Sequence, residues 1–283
     1  MEKYIVVKKS GVEEEYDEEK VRHSMQRVGV PDQLQPEVLS HIKGKFKDGK
    51  MSTDDVFYHV MEYLEPRDRK SSLRFNLRQA IFELGPTGFP FEQYLAQIFR
   101  TMNYSVATDV IMNGDCVRHE IDLVLEKASH EQGSPSSKEI VEVKFHNHHV
   151  VKTDVQVALY TYARFLDVKE KNDVDNVWLV TNTKLSTDAI AYANCKGMPV
   201  IAWNYPEHGN LQDLVEDPQM YPITLLTSLS EQEKRRLIEK NIVFCRDLLV
   251  KSDGELADPL IRNNSLQKAK EDAQLVCPLP AKS

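Results

Sequence analysis

The chain has 283 residues, enough for about two domains, and its 41% hydrophobic and 28% charged residues are typical of a globular protein. A formal net charge of −8 at pH 7 argues against a surface coated with cations for non-specific polyanion binding. No segment approaches the roughly 18 apolar residues of a membrane span, and the N-terminus lacks the pattern of a secretory signal. We therefore expect a cytoplasmic protein that does not contact membranes.

The first elements along the chain predict a β-hairpin followed by helices. Residues 4–7 have the pattern of a strand, residues 8–11 have the composition of a turn, and a second strand runs through Tyr16. From Asp17 onward the apolar spacing is helical. The further predicted helices cover residues 35–47, 53–64 and 68–84. The pattern therefore predicts a hairpin plus a helical bundle.

Three short motifs stand out in this region. They are the hairpin segment Val-Lys-Lys-Ser-Gly, the pairs Tyr16-Asp17 and Lys20-Val21, and the helix start Ser-Thr-Asp-Asp-Val. Together they resemble the ATP-cone domain, which is best known as the nucleotide-sensing regulatory cap of ribonucleotide reductases. The resemblance covers residues 3–84 and implies that ATP or dATP binds here as a regulatory ligand.

The same resemblance implies which side chains contact the nucleotide. Cations from the hairpin and the following helix would bind the phosphates, and these are Lys8, Lys9 and Lys20. The turn at Gly11 would add backbone amides, because amides and two or three cations can pair with a triphosphate. The side chains near the base and sugar would be Glu14, Tyr16 and Asp17. The competing interpretation is a hairpin with solvent-exposed lysines.

Beyond Gly85 the sequence predicts a different architecture. The apolar spacing from Phe91 to Met102 indicates a helix. The elements after it follow the order three strands, helix, strand, helix, strand. A Gly-, Pro- and Ser-containing segment at residues 129–139 predicts a solvent loop between the second and third strands. This order predicts an α/β/α sandwich with a mixed sheet.

Two of these strands gather charge on one face. Alternation along a strand puts Glu120 and Asp122 together, and it leaves on the other face Ile121, Leu123 and Leu125. In the next strand Glu142 and Lys144 share a face. Carboxylates from both strands could then hold a hard cation such as Mg²⁺, while the lysine holds a nucleophilic water. The competing interpretation is a set of solvated charges, because an exposed ion pair contributes only about 0–1 kcal/mol and is common.

The charged residues occur in a recognisable order. Glu92 lies on the leading helix, Asp122 on one strand, Glu142-Val143-Lys144 on the next, and Gln156 on the following helix with Tyr160. This order resembles the PD-(D/E)xK nuclease superfamily, and most closely the Mrr-type restriction endonucleases. The resemblance spans residues 86–205 and implies a phosphodiesterase that acts on DNA.

The resemblance also implies a role for each residue. Asp122 and Glu142 would ligate a Mg²⁺ or Mn²⁺ ion, with the carbonyl oxygen of Val143 as a further ligand. Lys144 would orient the attacking water. The assisting residues would be Glu92 and Glu120, as metal or water partners, and Gln156, near the scissile phosphate.

Zinc is less strongly indicated. His146, His148 and His149 could be ligands, but they lie in a predicted turn without a clear fourth ligand, so we favour phosphate contact or exposure. The four cysteines are widely separated and predict neither a zinc ribbon nor a disulfide framework. Near the C-terminus, two short helices joined at residues 240–242 resemble a helix-hairpin-helix module, although simple helical packing explains the pattern equally well.

Taken together, the sequence predicts a multi-domain α/β protein. The predicted domains are an ATP-cone at residues 1–85, a nuclease-like domain at 86–206 and a helical region at 207–283. The leading hypothesis is a metal-dependent DNA endonuclease regulated by ATP or dATP. The alternatives are a non-catalytic, nucleotide-sensing scaffold that binds DNA or protein, and a purely structural interaction protein. A homo-oligomer could form through the cone or the C-terminal helices.

Overall fold

The computed structural model describes residues 4–127 and 137–278, so most of the loop expected at residues 129–139 lies outside the described residues. The chain divides into two compact units. The first unit joins the residues up to Ala80 with those from Ile223 onward, and the second unit comprises Ile81–Pro222. This division differs from the boundaries expected at residues 85 and 206, because N-terminal and C-terminal helices pack together in the first unit.

The first unit begins with the expected hairpin. Strands β1 (Ile5–Val7) and β2 (Glu13–Glu15) pair antiparallel. The helices that follow are α1 (Glu18–Arg27) and α2 (Gln35–Lys43). A third strand, β3 (Lys50–Ser52), pairs parallel to β1, giving a sheet of order β2-β1-β3. The sequence patterns did not predict β3, since it has only three residues and depends on pairing with distant β1.

Three more helices complete the N-terminal part of the chain. They are α3 (Thr53–Leu64), α4 (Arg69–Phe75) and α5 (Leu77–Phe82), so the helix expected over residues 68–84 is divided at Asn76. A capping box starts α3, because Ser52 accepts from the Asp55 N–H and Asp55 in turn accepts from the Ser52 N–H. The apolar faces of α1, α2 and α3 meet in one core, which includes Met25, Ile42, Val60 and Leu64.

The second unit contains a mixed sheet covered by helices, which confirms the predicted architecture. Its elements are α6 (Phe89–Thr101), β4 (Ser105–Asn113), β5 (Arg118–Lys127), β6 (Ser137–Lys144), β7 (Lys152–Thr153), α7 (Val155–Asn172), β8 (Asn176–Thr181), β9 (Lys184–Leu185), α8 (Thr187–Lys196), β10 (Val200–Ile201) and α9 (Leu211–Glu216). The main sheet has the order β10-β8-β6-β5-β4. The β4–β5–β6 side is antiparallel and the β6–β8–β10 side is parallel. Strands β7 and β9 form a separate parallel pair.

Strict side-chain alternation fails in β5. Ile121 and Val124 belong to the same buried cluster, together with Ile140 of β6, although alternation would put Ile121 and Val124 on opposite faces. The departure lies at Asp122. Its neighbour across the β4–β5 ladder, Asp109, has a left-handed backbone with φ of 55°, and the regular pairing omits both residues. The expectation that Ile121, Leu123 and Leu125 share one face is therefore wrong.

Helix α7 holds the turn between β4 and β5. Asp167 accepts hydrogen bonds from the N–H groups of Cys116 (2.8 Å) and Val117 (3.3 Å). Its Oδ2 also lies 2.7 Å from Nε2 of His119. These contacts, with His119 contributing most, hold the pKa of Asp167 below its usual range. Gly114 is the point of closest approach between this turn and Asp167.

Replacing Gly114 with alanine is expected to destabilise the second unit. The new Cβ would lie 1.9 Å from Asp167 Oδ2 and 2.7 Å from the carbonyl oxygen of Val117, so the carboxylate must leave its partners. Overpacking of this kind costs about 1–3 kcal/mol. Denaturant unfolding followed by tryptophan fluorescence measures this loss of stability, because both tryptophans, Trp178 and Trp203, lie in the second unit.

Gly254→Ala, in the first unit, is the control for a glycine-to-alanine change without a clash, and its unfolding is followed by circular dichroism because neither tryptophan lies in that unit. No atom lies within 4 Å of the position of its added Cβ, and helix propensity favours alanine over glycine by about 1 kcal/mol. We expect no loss of stability from this change. A Gly114→Ala variant as stable as the wild type would contradict the close packing of the β4–β5 turn on α7.

The C-terminal part of the first unit is helical. After a 3₁₀ turn at Ile223–Leu225 come α10 (Glu231–Glu239), α11 (Asp247–Val250), α12 (Asp253–Leu256) and α13 (Asn263–Val276). Arg69 at the start of α4 binds Asp272 of α13 through two hydrogen bonds of 2.9 and 2.6 Å. This pair links the two sequence-distant parts of the unit. Within the described ranges, no helix has both the length and the apolar content needed to cross a membrane.

Candidate active site

The candidate active site lies where β5 and β6 separate. Their antiparallel register ends at the pair Leu123–Val141, just before Asp122 and Glu142 would face each other. Strand β6 continues to pair with β8 as far as Lys144. The Val143 N–H, beyond the end of the β5–β6 register, donates to Asp122 Oδ2 at 2.6 Å. The opening between the strands thus gives both carboxylates a common space.

Both carboxylates in this opening are partly desolvated. Burial raises the pKa of Glu142 to about 7, and the charge of Asp122 adds to the rise. Burial also raises the pKa of Asp122, although the hydrogen bond from the Val143 N–H opposes it. Because burial disfavours the ionised form, each carboxylate is stabilised by a bound proton or a nearby cation.

Helix α6 brings a third carboxylate to the same place. Burial raises the pKa of Glu92 to about 7, and the charge of Asp122 makes the next largest contribution. Smaller contributions come from Asp109 and Glu120. Gly88 is the N-cap residue of the helix, and a Cβ added there would lie only 2.8 Å from Glu92 Oε1. Glu92, Asp122 and Glu142 are therefore close enough to affect the ionisation of one another.

Arg164 of α7 is a site residue that the sequence reasoning did not select. Its Nη1 forms an ion pair with Glu142 Oε2 and donates to the carbonyl oxygen of Glu120 at 3.1 Å. Its Nη2 donates to the hydroxyl of Tyr160, one turn earlier on the helix. Spacing of four residues between Gln156, Tyr160 and Arg164 was the available signal, since it puts all three on one face of a helix.

The remaining predicted residues lie around this centre. Lys144 is exposed at the end of β6, and its charge lowers the pKa of Glu142. Val143 is buried, and Glu120 is exposed with its carbonyl bound by Arg164. Gln156 is exposed in the first turn of α7, where its N–H binds the capping Asp154 at 2.8 Å.

The three histidines after β6 do not form a metal site in the described residues. His146 Nε2 lies 2.9 Å from the hydroxyl of Thr153, which itself contacts Thr181 at 2.8 Å. Burial lowers the pKa of His146, which favours the neutral ring. His149 instead packs against Phe82, with the ring centres 3.7 Å apart and the ring planes tilted by 36°.

The predicted nucleotide-binding residues lie in the β1–β2 hairpin and at the start of α1, in the first unit. Each of the three predicted lysines lies beside a carboxylate, and the pairs are Lys8–Glu14 at 2.6 Å, Lys9–Asp54 at 3.0 Å and Lys20–Asp17 at 3.7 Å. Gly11, with φ of 80°, closes the hairpin turn. Asp17 caps α1 by accepting from the N–H groups of Glu19 and Lys20. The hydroxyl of Tyr16 is buried without a hydrogen-bond partner, and burial raises its pKa to about 12.

Comparison with known protein families identifies two parts of the chain. Residues 86–210 match the restriction endonuclease family, which confirms the nuclease-like fold predicted for this region. Residues 221–277 match the C-terminal domain of the AF1548-like family. The C-terminal helices, interpreted from the sequence as helix-hairpin-helix-like, are therefore AF1548-like.

Individual relatives extend this assignment. An uncharacterized protein of Archaeoglobus fulgidus is 36% identical over 177 residues, which cover 62% of this chain and 94% of the relative. The crystal structure of the protein of unknown function AF1548 has 31% identity and a TM-score of 0.56, over 67% of this chain and 98% of that chain. The DNA modification-dependent restriction endonuclease AspBHI has 15% identity and a TM-score of 0.37, over 59% of this chain and 39% of its own. On the strength of its 31% identity to AF1548 over 98% of that chain, the chain belongs to the AF1548-like family, and it carries a restriction endonuclease domain at residues 86–210.

Proposed function

We propose that the protein is a Mg²⁺-dependent DNA endonuclease whose active centre comprises Asp122, Glu142, Lys144 and Glu92. One observation carries this proposal: three carboxylates, all with raised pKa values, meet where β5 and β6 separate. Oxygen donors are the ligands that Mg²⁺ prefers, and Mn²⁺ accepts the same set. The match of residues 86–210 to the restriction endonuclease family supports this interpretation.

The proposed chemistry gives each side chain a task. When bound, a divalent ion supplies Lewis-acid stabilisation of charge on the phosphate and lowers the pKa of a coordinated water. Asp122 and Glu142 are its proposed ligands, with the Val143 carbonyl as a third. Lys144, exposed beside them, orients the attacking water. Glu92 receives a proton or contacts water, since burial already brings its pKa to about 7.

Incubation of the full chain with plasmid and linear DNA tests this proposal. We expect nicking or linearisation that requires Mg²⁺ or Mn²⁺ and stops on addition of EDTA. DNA binding without cleavage under any divalent ion would contradict the proposed catalysis and support the alternative of a non-catalytic scaffold. A filter-binding measurement on the same samples separates these two outcomes.

We further propose that ATP or dATP binds the β1–β2 hairpin and regulates this activity. The exposed Lys8, Lys9 and Lys20 support the proposal, because a triphosphate can replace the carboxylates that these lysines now contact. Calorimetric titration with ATP and dATP tests binding, and Lys9→Ala should weaken it. Absence of binding at millimolar nucleotide would remove the regulatory part of the proposal without affecting the nuclease part.

A further inference from the structure

Helices α2 and α3 bring two imidazoles and a carboxylate together in the first unit, away from the residues assigned above. His41 lies in the last turn of α2, while His59 and Glu62 lie one turn apart on α3. Spacing of three residues places His59 and Glu62 on the same face of the helix. The ligand atoms of these three side chains lie close enough together to share an ion.

The three ligand atoms converge closely. Nε2 of His41 lies 3.1 Å from Glu62 Oε2, and Nδ1 of His59 lies 2.9 Å from the same oxygen. All three atoms lie within 4.8 Å of one another. A zinc ion has ligand bonds of about 2.0–2.2 Å in tetrahedral geometry, which separates the ligand atoms by about 3.3–3.5 Å. The two separations from Glu62 Oε2 are a few tenths of an ångström shorter than this spacing, so a small outward movement of Glu62 would bring both to the distance that a bound ion requires.

Charge and access also suit a cation. Glu62 brings a carboxylate to the group, and one of its oxygens lies within hydrogen-bond distance of both imidazoles. The side chains of His41, His59 and Glu62 are 22%, 17% and 39% exposed, so an ion can reach them from solvent. Lys45 also lies beside this carboxylate, with its Nζ 3.6 Å from Glu62 Oε2. Its ammonium group competes with an incoming ion.

We propose that His41, His59 and Glu62 form a binding site for a divalent first-row transition metal ion of the Zn²⁺ type. Two imidazole nitrogens and one carboxylate leave coordination positions open for water or a ligand, as in three-ligand zinc sites. The same donors also suit Fe²⁺. They do not suit Mg²⁺, which prefers oxygen ligands, so this site is chemically distinct from the carboxylate centre of the second unit.

Calorimetric titration of the full chain tests the proposal. The titrations use the Asp122→Ala variant, because this substitution removes a ligand from the proposed nuclease centre. The variant is titrated separately with Zn²⁺, with Fe²⁺ under anaerobic conditions, and with Mg²⁺. We expect one Zn²⁺ or one Fe²⁺ ion to bind per chain. Any binding of Mg²⁺ should be the same with and without the His41 side chain. Removing an outer-shell partner already weakens metal binding by about 10–100-fold, so His41→Ala or His59→Ala should weaken it by more than about 100-fold.

Matched variants separate ligation from general structural effects. His23→Ala removes an exposed histidine of α1 in the same unit and should leave affinity unchanged. Glu62→Gln keeps the shape and a hydrogen-bonding oxygen but should weaken metal binding, whereas Lys45→Gln should strengthen it by removing the competing ammonium group. Circular dichroism of each variant verifies folding.

Metal binding by the exposed thiols of Cys116 and Cys195 must also be distinguished from metal binding at the proposed site. Substitution with Co²⁺ achieves this, because the proposed site should give visible d–d bands without thiolate-to-cobalt charge transfer. Stoichiometric Zn²⁺ binding that is unchanged in His41→Ala and in Glu62→Gln would overturn the proposal, as would a thiolate spectrum. Absence of any Zn²⁺ or Fe²⁺ binding would overturn it equally.

Discussion

Asp122→Asn is expected to abolish Mg²⁺-dependent DNA cleavage while the second unit stays folded. Asparagine keeps the size of the side chain and an oxygen that can accept from the Val143 N–H. In the wild type the Val143 nitrogen lies 2.6 Å from Asp122 Oδ2. It removes the negative charge that a cation would bind. Metal stabilisation of developing charge is worth several kcal/mol, so the cleavage rate should fall by more than about 100-fold.

The stability of this variant should change in the opposite direction or not at all. Burial and the neighbouring carboxylates raise the pKa of Asp122, so the ionised side chain destabilises the metal-free fold. Unfolding of Asp122→Asn at pH 8 should therefore require at least as much denaturant as unfolding of the wild type. Glu126→Gln, an exposed change on the same strand, is the matched control and should keep full activity. Wild-type cleavage by Asp122→Asn would refute the proposed site.

Lys144→Ala separates two parts of the same mechanism. If Lys144 orients water and Asp122 holds the ion, the two variants should respond differently to Mg²⁺ concentration. Lys144→Ala should lower the maximal rate at saturating Mg²⁺, by about 10²–10⁴-fold if water activation is lost. Asp122→Asn should instead need more Mg²⁺ to recover any residual activity. Identical Mg²⁺ profiles for the two variants would contradict the division of roles.

Local sequence patterns predicted the parts of the fold that local physics determines. The predicted helix starts at Asp17 and at the Ser-Thr-Asp-Asp-Val segment agree with where α1 and α3 begin, because the side chains of Asp17 and Ser52 accept from N–H groups within the next few residues. The sequence patterns also predicted the strands that contain Asp122 and Glu142. In contrast, β3 forms only through pairing with β1, about forty residues earlier in the chain, and no local signal marks such a short strand.

The candidate site was predictable as a set of residue types, but its geometry was not. Alternation explains why Glu142 and Lys144 lie near each other, yet it fails at Asp122, where Asp109 adopts a left-handed backbone. The Arg164–Glu142 ion pair depends on how α7 lies on the sheet. Likewise, the Arg69–Asp272 pair joins residues 203 positions apart, so a division into consecutive domains could not anticipate the first unit.

The metal-free second unit is expected to lose stability as the pH rises from about 5 to 8. The pKa of Glu142 is raised from 4.5 to about 7, so between these values the folded chain binds more protons than the unfolded chain. The free energy of unfolding must then fall as pH rises through this window. A shift of this size corresponds to about 3 kcal/mol, at 1.36 kcal/mol per pH unit. Urea unfolding followed by tryptophan fluorescence reports on this unit alone, since Trp178 and Trp203 both lie in it.

Two variants should change this pH dependence in opposite directions. Glu142→Gln cannot ionise, so the loss of stability between pH 5 and 8 should become smaller, with a remainder from Glu92, whose pKa is also about 7. Arg164→Gln removes the positive charge that lowers the pKa of Glu142, so the loss should become larger.

Added Mg²⁺ should act most strongly at the alkaline end of this range. Metal ligands bind in their deprotonated form, so Mg²⁺ should stabilise the second unit more at pH 8 than at pH 5.5. This stabilisation by Mg²⁺ should be lost in Glu142→Gln, which lacks one proposed ligand. It should be kept in the Glu126→Gln control. A metal-free chain whose stability does not decrease over this window would mean that Glu142 is not desolvated at the end of the β5–β6 ladder. Equal stabilisation by Mg²⁺ at both pH values would mean that the ion binds elsewhere.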